Sequence, residues 1–296
     1  MSAERVLFDA PGPAGRRRIR IATGVTLLVL AGVVVLAVKQ FSNHGQLTAE
    51  RWTPFGQLSY VHFLWVGLQG TLIAAAVAAL ISFPAGALFG LMRISVHRPV
   101  RWVAGVYVEL FRAVPLLLLI YAFLLGLPRF GINLPIFWKL VVPIAIVNTA
   151  VLAEVVRAGI GAVDKGQSEA GEAIGLRRGQ VLRLIVLPQA LRLLVPTLVT
   201  QLTTVLKDTT LGYVVSYPEL MKQGNNLTVY THLLIQTFLI IAVVYVLINF
   251  ALSQLAHALD RRLARRRVTG GDAGAAGGAL PADAVGDRVA PVGQLS

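Results

Sequence analysis

Long stretches of apolar residues without a single charge set the first limit on this chain. Residues 25–38, 61–92, 113–128 and 140–153 each lack Asp, Glu, Lys and Arg. A helix rises about 1.5 Å per residue, so crossing roughly 30 Å of hydrocarbon takes about 20 mainly apolar residues. Blocks of this length suit bilayer spans better than core helices of a soluble domain. Mean hydropathy is +0.71 and 14% of residues are charged, against roughly a quarter in soluble domains. The expected fold is therefore all-α and integral to a membrane.

The formal net charge of +13 would also suit a nucleic-acid binder. Placement decides against that, because Lys and Arg gather at the ends of the apolar blocks, as the positive-inside rule describes. No nucleic-acid partner is expected, and membrane lipid is. The chain has no cysteine, which excludes disulfides, thiolate catalysis and cysteine metal sites. Its histidines show no ligand spacing; His62, His232 and His257 fall near predicted helix ends, where an interfacial role is expected.

About six membrane helices are expected, near residues 19–39, 61–92, 103–127, 135–157, 184–207 and 230–258. Pro84, Pro115, Pro143 and Pro196 fall inside them, which membrane helices tolerate when neighbours satisfy the freed carbonyls. Gly86 and Gly90 form a small-xxx-small pair suited to close helix contact. Arg16, Arg17 and Arg18 precede the first block as they would in a signal peptide. That block is longer than an apolar signal region of about 7–15 residues, and no small-x-small cleavage site follows, so an uncleaved signal-anchor helix is expected.

Cations are counted most heavily on one side: Arg16 to Arg20, Arg93, Arg98, Arg101, Arg157, Lys165, Arg177, Arg178, Arg183 and the run from Arg261 to Arg267. The count places both termini in the cytoplasm. The expected organisation is a cytoplasmic tail over 1–18, an added N-terminal helix over 19–39 and an extracellular linker over 40–60. A core over 61–260 follows, with a polar cytoplasmic loop at 165–188. Residues 268–296, rich in Gly, Ala, Pro and Asp, have no apolar period and are expected to be disordered.

The polar loop between the fourth and fifth spans is too hydrophilic to cross the membrane. A short helix opens around Gln167 and Ser168, Gly175 is placed to end it, and an amphipathic piece over 180–187 leads to Pro188. Two short helices on a glycine turn make a compact knob. Its residues Glu169, Ala170, Gly171, then Gly175, then Ile185, Leu187 and Pro188 resemble the Glu-Ala-Ala loop of permeases of the ATP-binding-cassette importer class. One position departs from that pattern: Gly171 stands where the second alanine is usual. Glu109, Arg112, Pro115 and Leu116 are similar to the family's E-x-x-R-x-x-P-L stretch. Glu154, Arg157, Gly166 and Gln167, with Leu206 to Leu211 and Glu219, resemble its polar amino-acid branch. The start from Phe8 to Pro13 is similar to glutamate-type permeases.

The resemblance covers residues 68–260 and implies a five-helix importer core behind one added helix. It implies a non-catalytic permease subunit for a polar amino acid, glutamate or a related one, in a bacterial plasma membrane. The implied partners are a cytoplasmic ATP-binding subunit, a second similar permease and an extracellular substrate-binding protein. No cofactor is expected on this chain, which lacks a phosphate-binding G-x-x-x-x-G-K-[ST]; ATP and Mg belong on the partner ATPase. Glu169 is expected either to touch that ATPase or to orient the loop, with a solvated first-turn carboxylate as the plain alternative.

Polar residues in apolar surroundings mark a possible substrate path: Arg112, Asn148, Thr149 and Glu154. Arg112 and Arg157 are equally suited to snorkelling or structural pairing. Glu154 suits a substrate ammonium or an arginine partner. Asn148 and Thr149 suit helix-to-helix hydrogen bonds. Lys207 and Asp208 read as a surface or inter-subunit ion pair at the outer end of the fifth helix. A stand-alone secondary transporter or channel is the alternative function; a membrane enzyme would need a catalytic cluster that is not seen.

Overall fold

The computed structural model describes residues 12–275, and among them every regular element is a helix. Helix α1 spans Pro13–Asn43, opened by Gly12 and by a proline whose missing N–H costs nothing at a helix start. Nothing in its apolar window is buried within the chain. The linker that follows carries the short α2, Ala49–Trp52, and a 3-10 turn, Thr53–Gly56. It is hung on the last helix: the buried Gln236 amide donates to the Gln46 carbonyl at 2.8 Å, which also accepts from the Trp52 indole at 3.1 Å.

Helix α3, Leu58–Arg93, is followed by α4, Arg98–Ala113, and α5, Leu116–Tyr121, which continues through tighter and wider turns to Phe130. The third expected span is thus not one helix, since the two halves bend by 96°. Pro115 lacks a donor and pushes Val114 out of helical geometry; both are extended, with ψ of 130° and 123°. Helix α6, Ile136–Gly161, is the most enclosed span. Among the described residues five helices are long and apolar enough to cross a membrane, or six with the bent pair counted as one.

Helices α7, Lys165–Ala173, α8, Arg178–Val181, and α9, Leu187–Asp208, follow. The fifth span starts earlier than expected, because α8 runs into α9 through a π turn at Leu182–Val186. In that turn the Leu187 N–H reaches the Leu182 carbonyl, one residue further back than in an α-helix, just ahead of Pro188. The same device stands at Ala122–Gly126, just ahead of Pro128. A widened turn makes room for a proline ring that would otherwise strike the carbonyl four residues back.

Helix α10, Leu220–Thr231, was not expected; residue 230 belongs to it rather than to the last span. His232 at φ 59° ends it, and α11 begins at Leu234. That last helix runs to Ala275, beyond the expected end of structure near 268, because adding a residue to an existing helix avoids the cost of nucleation. The remainder of the C-terminal tail, and the start from Phe8 to Pro11, lie outside the described residues.

The core lies where α3, α6 and α9 meet, around Ala74, Ala78, Leu140, Ile144, Val205 and Leu206. Helices α3 and α6 form the most extensive pair. Gly86 and Gly90 are both buried along this seam. A Cβ on Gly86 would overlap that of Leu152, and one on Gly90 would stand 2.7 Å from the Cβ of Val156. Without a water-driven hydrophobic force inside a bilayer, such close backbone approach is what joins membrane helices.

Candidate functional site

The polar loop folds as a knob at the end of the bundle that also carries Arg93 and Arg157. Asp164 caps α7 by accepting from the Gly166 N–H at 2.7 Å. Gly175 sits at φ 83°, a left-handed conformation that favours glycine, and the Leu176 N–H closes back on the Gly171 carbonyl at 3.1 Å. Gln180 accepts from the Arg177 N–H at 2.9 Å and starts α8.

The knob has two unlike faces. Gly171 is buried, and a Cβ there would stand 2.7 Å from Ile185 Cδ1 and 3.0 Å from Val181 Cγ2. Gly171 and Ile185 therefore hold the knob to the π turn rather than offering a docking surface. Glu169, Ala170, Glu172, Ala173 and Gly175 are exposed, and Ile174 is 77% exposed at the tip. Among the described residues Glu169 makes no ion pair. Leu187 is half-buried and Pro188 exposed at the base. Ile174 is the residue to add to the expected set; its signal was an apolar side chain on the turn that Gly175 ends.

Inside the bundle the structure joins residues far apart in sequence. Asn148, 1% exposed, donates to Asp208 Oδ2 at 2.9 Å and to the Ile144 carbonyl at 3.0 Å. Its own oxygen accepts from Gln201 Nε2 at 2.6 Å. Asp208 is half-buried, and among the described residues it has no cationic partner. Among the described residues Asp208 and Lys207 form no ion pair with each other, since neighbouring helical residues point apart. Gln201 and Asp208 lie seven residues apart, two helical turns on one face, which is the signal that could have found them. Thr149 is buried beside Asn148.

Glu154 faces arginines. It accepts from Arg93 Nη1 at 2.9 Å and from Arg157 Nε at 3.1 Å. Arg93 also reaches Glu109 Oε1 at 3.3 Å. Arg112 is exposed nearby without an ion pair. Among the described residues no cluster of His, Asp or Glu is arranged to hold a metal.

At the opposite end, residues 209–231 fold back onto α3. The Leu220 N–H donates to Thr71 Oγ1 at 3.0 Å and the Tyr217 hydroxyl to the Gly70 carbonyl at 3.3 Å. Glu219, 0% exposed, caps α10 by accepting from Met221 and Lys222 N–H groups at 2.7 and 2.6 Å. Burial outweighs those donors, the Tyr245 hydroxyl and the Lys222 charge, and pushes its carboxyl up to about 7. A carboxyl raised in the fold gives stability that is complete below its ordinary value and lost as pH rises through 7, by about 3 kcal/mol. Thermal unfolding of the wild type is expected to occur at lower temperature at pH 8 than at pH 5. Glu219→Gln, which keeps an acceptor without a charge, is expected to flatten that difference; an unchanged pH slope would contradict the assignment.

An apolar cavity of 210 Å³ between Phe55, Tyr60, Trp65, Leu68, Ile241 and Val244 offers no charged group and does not suit a polar solute.

A family model described as the inner membrane component of binding-protein-dependent transport systems matches residues 82–265. The chain belongs to that family. It is a multi-pass membrane permease, and relatives extend the match. The glutamate transport system permease protein of Corynebacterium glutamicum is 34% identical over 75% of this permease and 83% of its own length. The arginine transport system permease protein of Bacillus subtilis is 31% identical over 69% and 93%. The crystal structure of an amino acid ABC transporter with histidines is 31% identical, covering 70% of this permease and 97% of that chain with a TM-score of 0.68.

Proposed function

We propose that this permease carries a polar amino acid, glutamate or a related one, into the cell as the membrane subunit of an ATP-driven importer. The observation that carries the reading is the knob from Glu169 to Gly175, closed by the Gly175 turn, with Glu169, Ala170, Glu172, Ala173 and Ile174 exposed, in a member of this permease family. Its partners are a cytoplasmic ATP-binding subunit seated on the knob, a second permease and an extracellular binding protein. The knob end holds Arg93, Arg98, Arg101, Arg157, Lys165, Arg177, Arg178 and Arg183, which supports a cytoplasmic placement of that end and of both termini.

ATP binding would draw two knobs together, and the helices would rock around a fixed site between two permeases. Asp208, held by Asn148, suits a substrate ammonium, and Gln201 supplies a further amide near it. Polar groups that a membrane bundle buries and aligns are more often functional than decorative. The glutamate-named relative supports the substrate class.

Reconstitution tests the whole reading. In vesicles the permease alone is expected to give no uptake of labelled glutamate, and uptake is expected only with the ATPase, second permease, binding protein and ATP. Uptake by the permease alone, driven by an ion gradient, would replace this reading with a stand-alone secondary transporter.

A further inference from the structure

We propose that Arg93 is a positioning residue, the joint through which α6 passes movement of the knob into α3 and α4. The inference rests on the reading that an ATPase moves the knob. Helix α7 follows directly on α6, with only Ala162 to Asp164 between them. The knob otherwise packs on the π turn and α8, and a cleft of 340 Å³ separates it from Ile94 at the end of α3. Displacement of the knob therefore enters the bundle through α6 and α9.

Arg93 is the last residue of α3, and its side chain is 18% exposed. One guanidinium nitrogen meets Glu154 on α6 and the other meets Glu109 on α4. Arg157, one turn beyond Glu154, holds the same carboxylate from its own helix. The planar fork aims separate, fixed donors at two carboxylates on two helices, where a lysine would offer one compact ammonium with rotatable donors and a shorter reach between them.

The joint sits at the end of the most extensive helix pair among the described residues. Ser82, Gly86 and Gly90 recur every four residues along α3 and are all buried, and Arg93 follows one turn later. Beside it the rings of Phe89 and Tyr107 stand 4.3 Å apart and tie α3 to α4. The Tyr107 hydroxyl donates to the Ile146 carbonyl of α6 at 3.0 Å. Three helices thus converge on Arg93, while close packing alone cannot prevent sliding along a smooth glycine seam. The part-buried arm to Glu154, at 2.9 Å, fixes the register, and the exposed arm to Glu109 adds a weaker hold on α4.

The test uses the complete importer in vesicles, with cysteine-free partner subunits, and reads substrate imported per ATP hydrolysed. Arg93→Gln, Arg93→Lys and Glu154→Gln are expected to keep the assembled complex and its ATP hydrolysis while lowering that ratio about tenfold. The double Gln variant is expected to lose less than the product of the two single losses, because both changes break the same Arg93–Glu154 bond. The permease has no native cysteine, so Arg93→Cys with Glu154→Cys allows a reducible thiol cross-linker to replace the joint. Cross-linking is expected to restore at least half of the wild-type ratio, and reduction of the same sample to abolish the gain. A wild-type ratio in the single variants, additive losses in the double one, or a ratio indifferent to cross-linking would each overturn the proposal. Failure of the coupling reading looks different: the ATPase would stay bound when the knob tip is made charged.

Discussion

Ile174→Asp is expected to strip the ATPase from the purified importer, with a loss in affinity of at least a hundredfold. The side chain is 77% exposed at the tip of the knob, yet it is apolar and fixed by the turn that Gly175 closes at φ 83°. Burying an isoleucine in a partner's cleft is worth roughly 1.5–3 kcal/mol, and an unpaired aspartate in its place adds a desolvation penalty. A hundredfold corresponds to about 2.8 kcal/mol. Glu169→Lys reverses an exposed charge on the same face and is expected to act in the same direction by about tenfold. Ile174→Leu, which keeps the bulk, is expected to bind normally. Co-purification and titration of the ATPase onto permease in detergent check all three, and retention of the ATPase by Ile174→Asp would remove the knob from the coupling interface.

What the sequence foretold and what it concealed divide along physical lines. Uninterrupted apolar runs betray bilayer spans because length and polarity alone decide that question. The knob was equally legible, since Asp164, Gly175 and the polar run between them act through local geometry. Direction was harder to see: Gly171 reads as docking surface in a linear motif, but it turns inward against Val181 and Ile185. The 96° bend at Pro115 was concealed because Pro84 and Pro143, of the same type, stay within continuous helices. Tertiary packing decides between those outcomes. Asp208 was placed beside Lys207 by sequence adjacency, whereas it bonds to Asn148, 60 positions away. Helix α10 escaped notice because its polar face resembles a loop until it is laid against Gly67 and Gly70.

Gly86→Val and Gly90→Val are expected to cost the fold more than any change in the polar sites. The atoms that a new side chain would meet at Gly86 are the Cβ of Leu152 and the backbone of Thr149 and Ala153. At Gly90 they are Val156 Cβ and the Ala153 carbonyl, at 2.7 and 2.9 Å. Neither set can rotate away, so α3 and α6 must separate, and overpacking of this kind exceeds the usual 1–3 kcal/mol because the whole seam opens. A loss beyond about 3 kcal/mol lowers the unfolding temperature of a chain this size by roughly 10 °C. Gly105 on α4 meets nothing within 4 Å, so Gly105→Ala is expected to leave that temperature unchanged or raise it slightly. Thermal unfolding of the detergent-purified variants separates the outcomes. Equal behaviour of Gly86→Val and Gly105→Ala would mean that the seam is looser than its backbone contacts require, and a loose seam could not pass motion from the knob to the far end of α3.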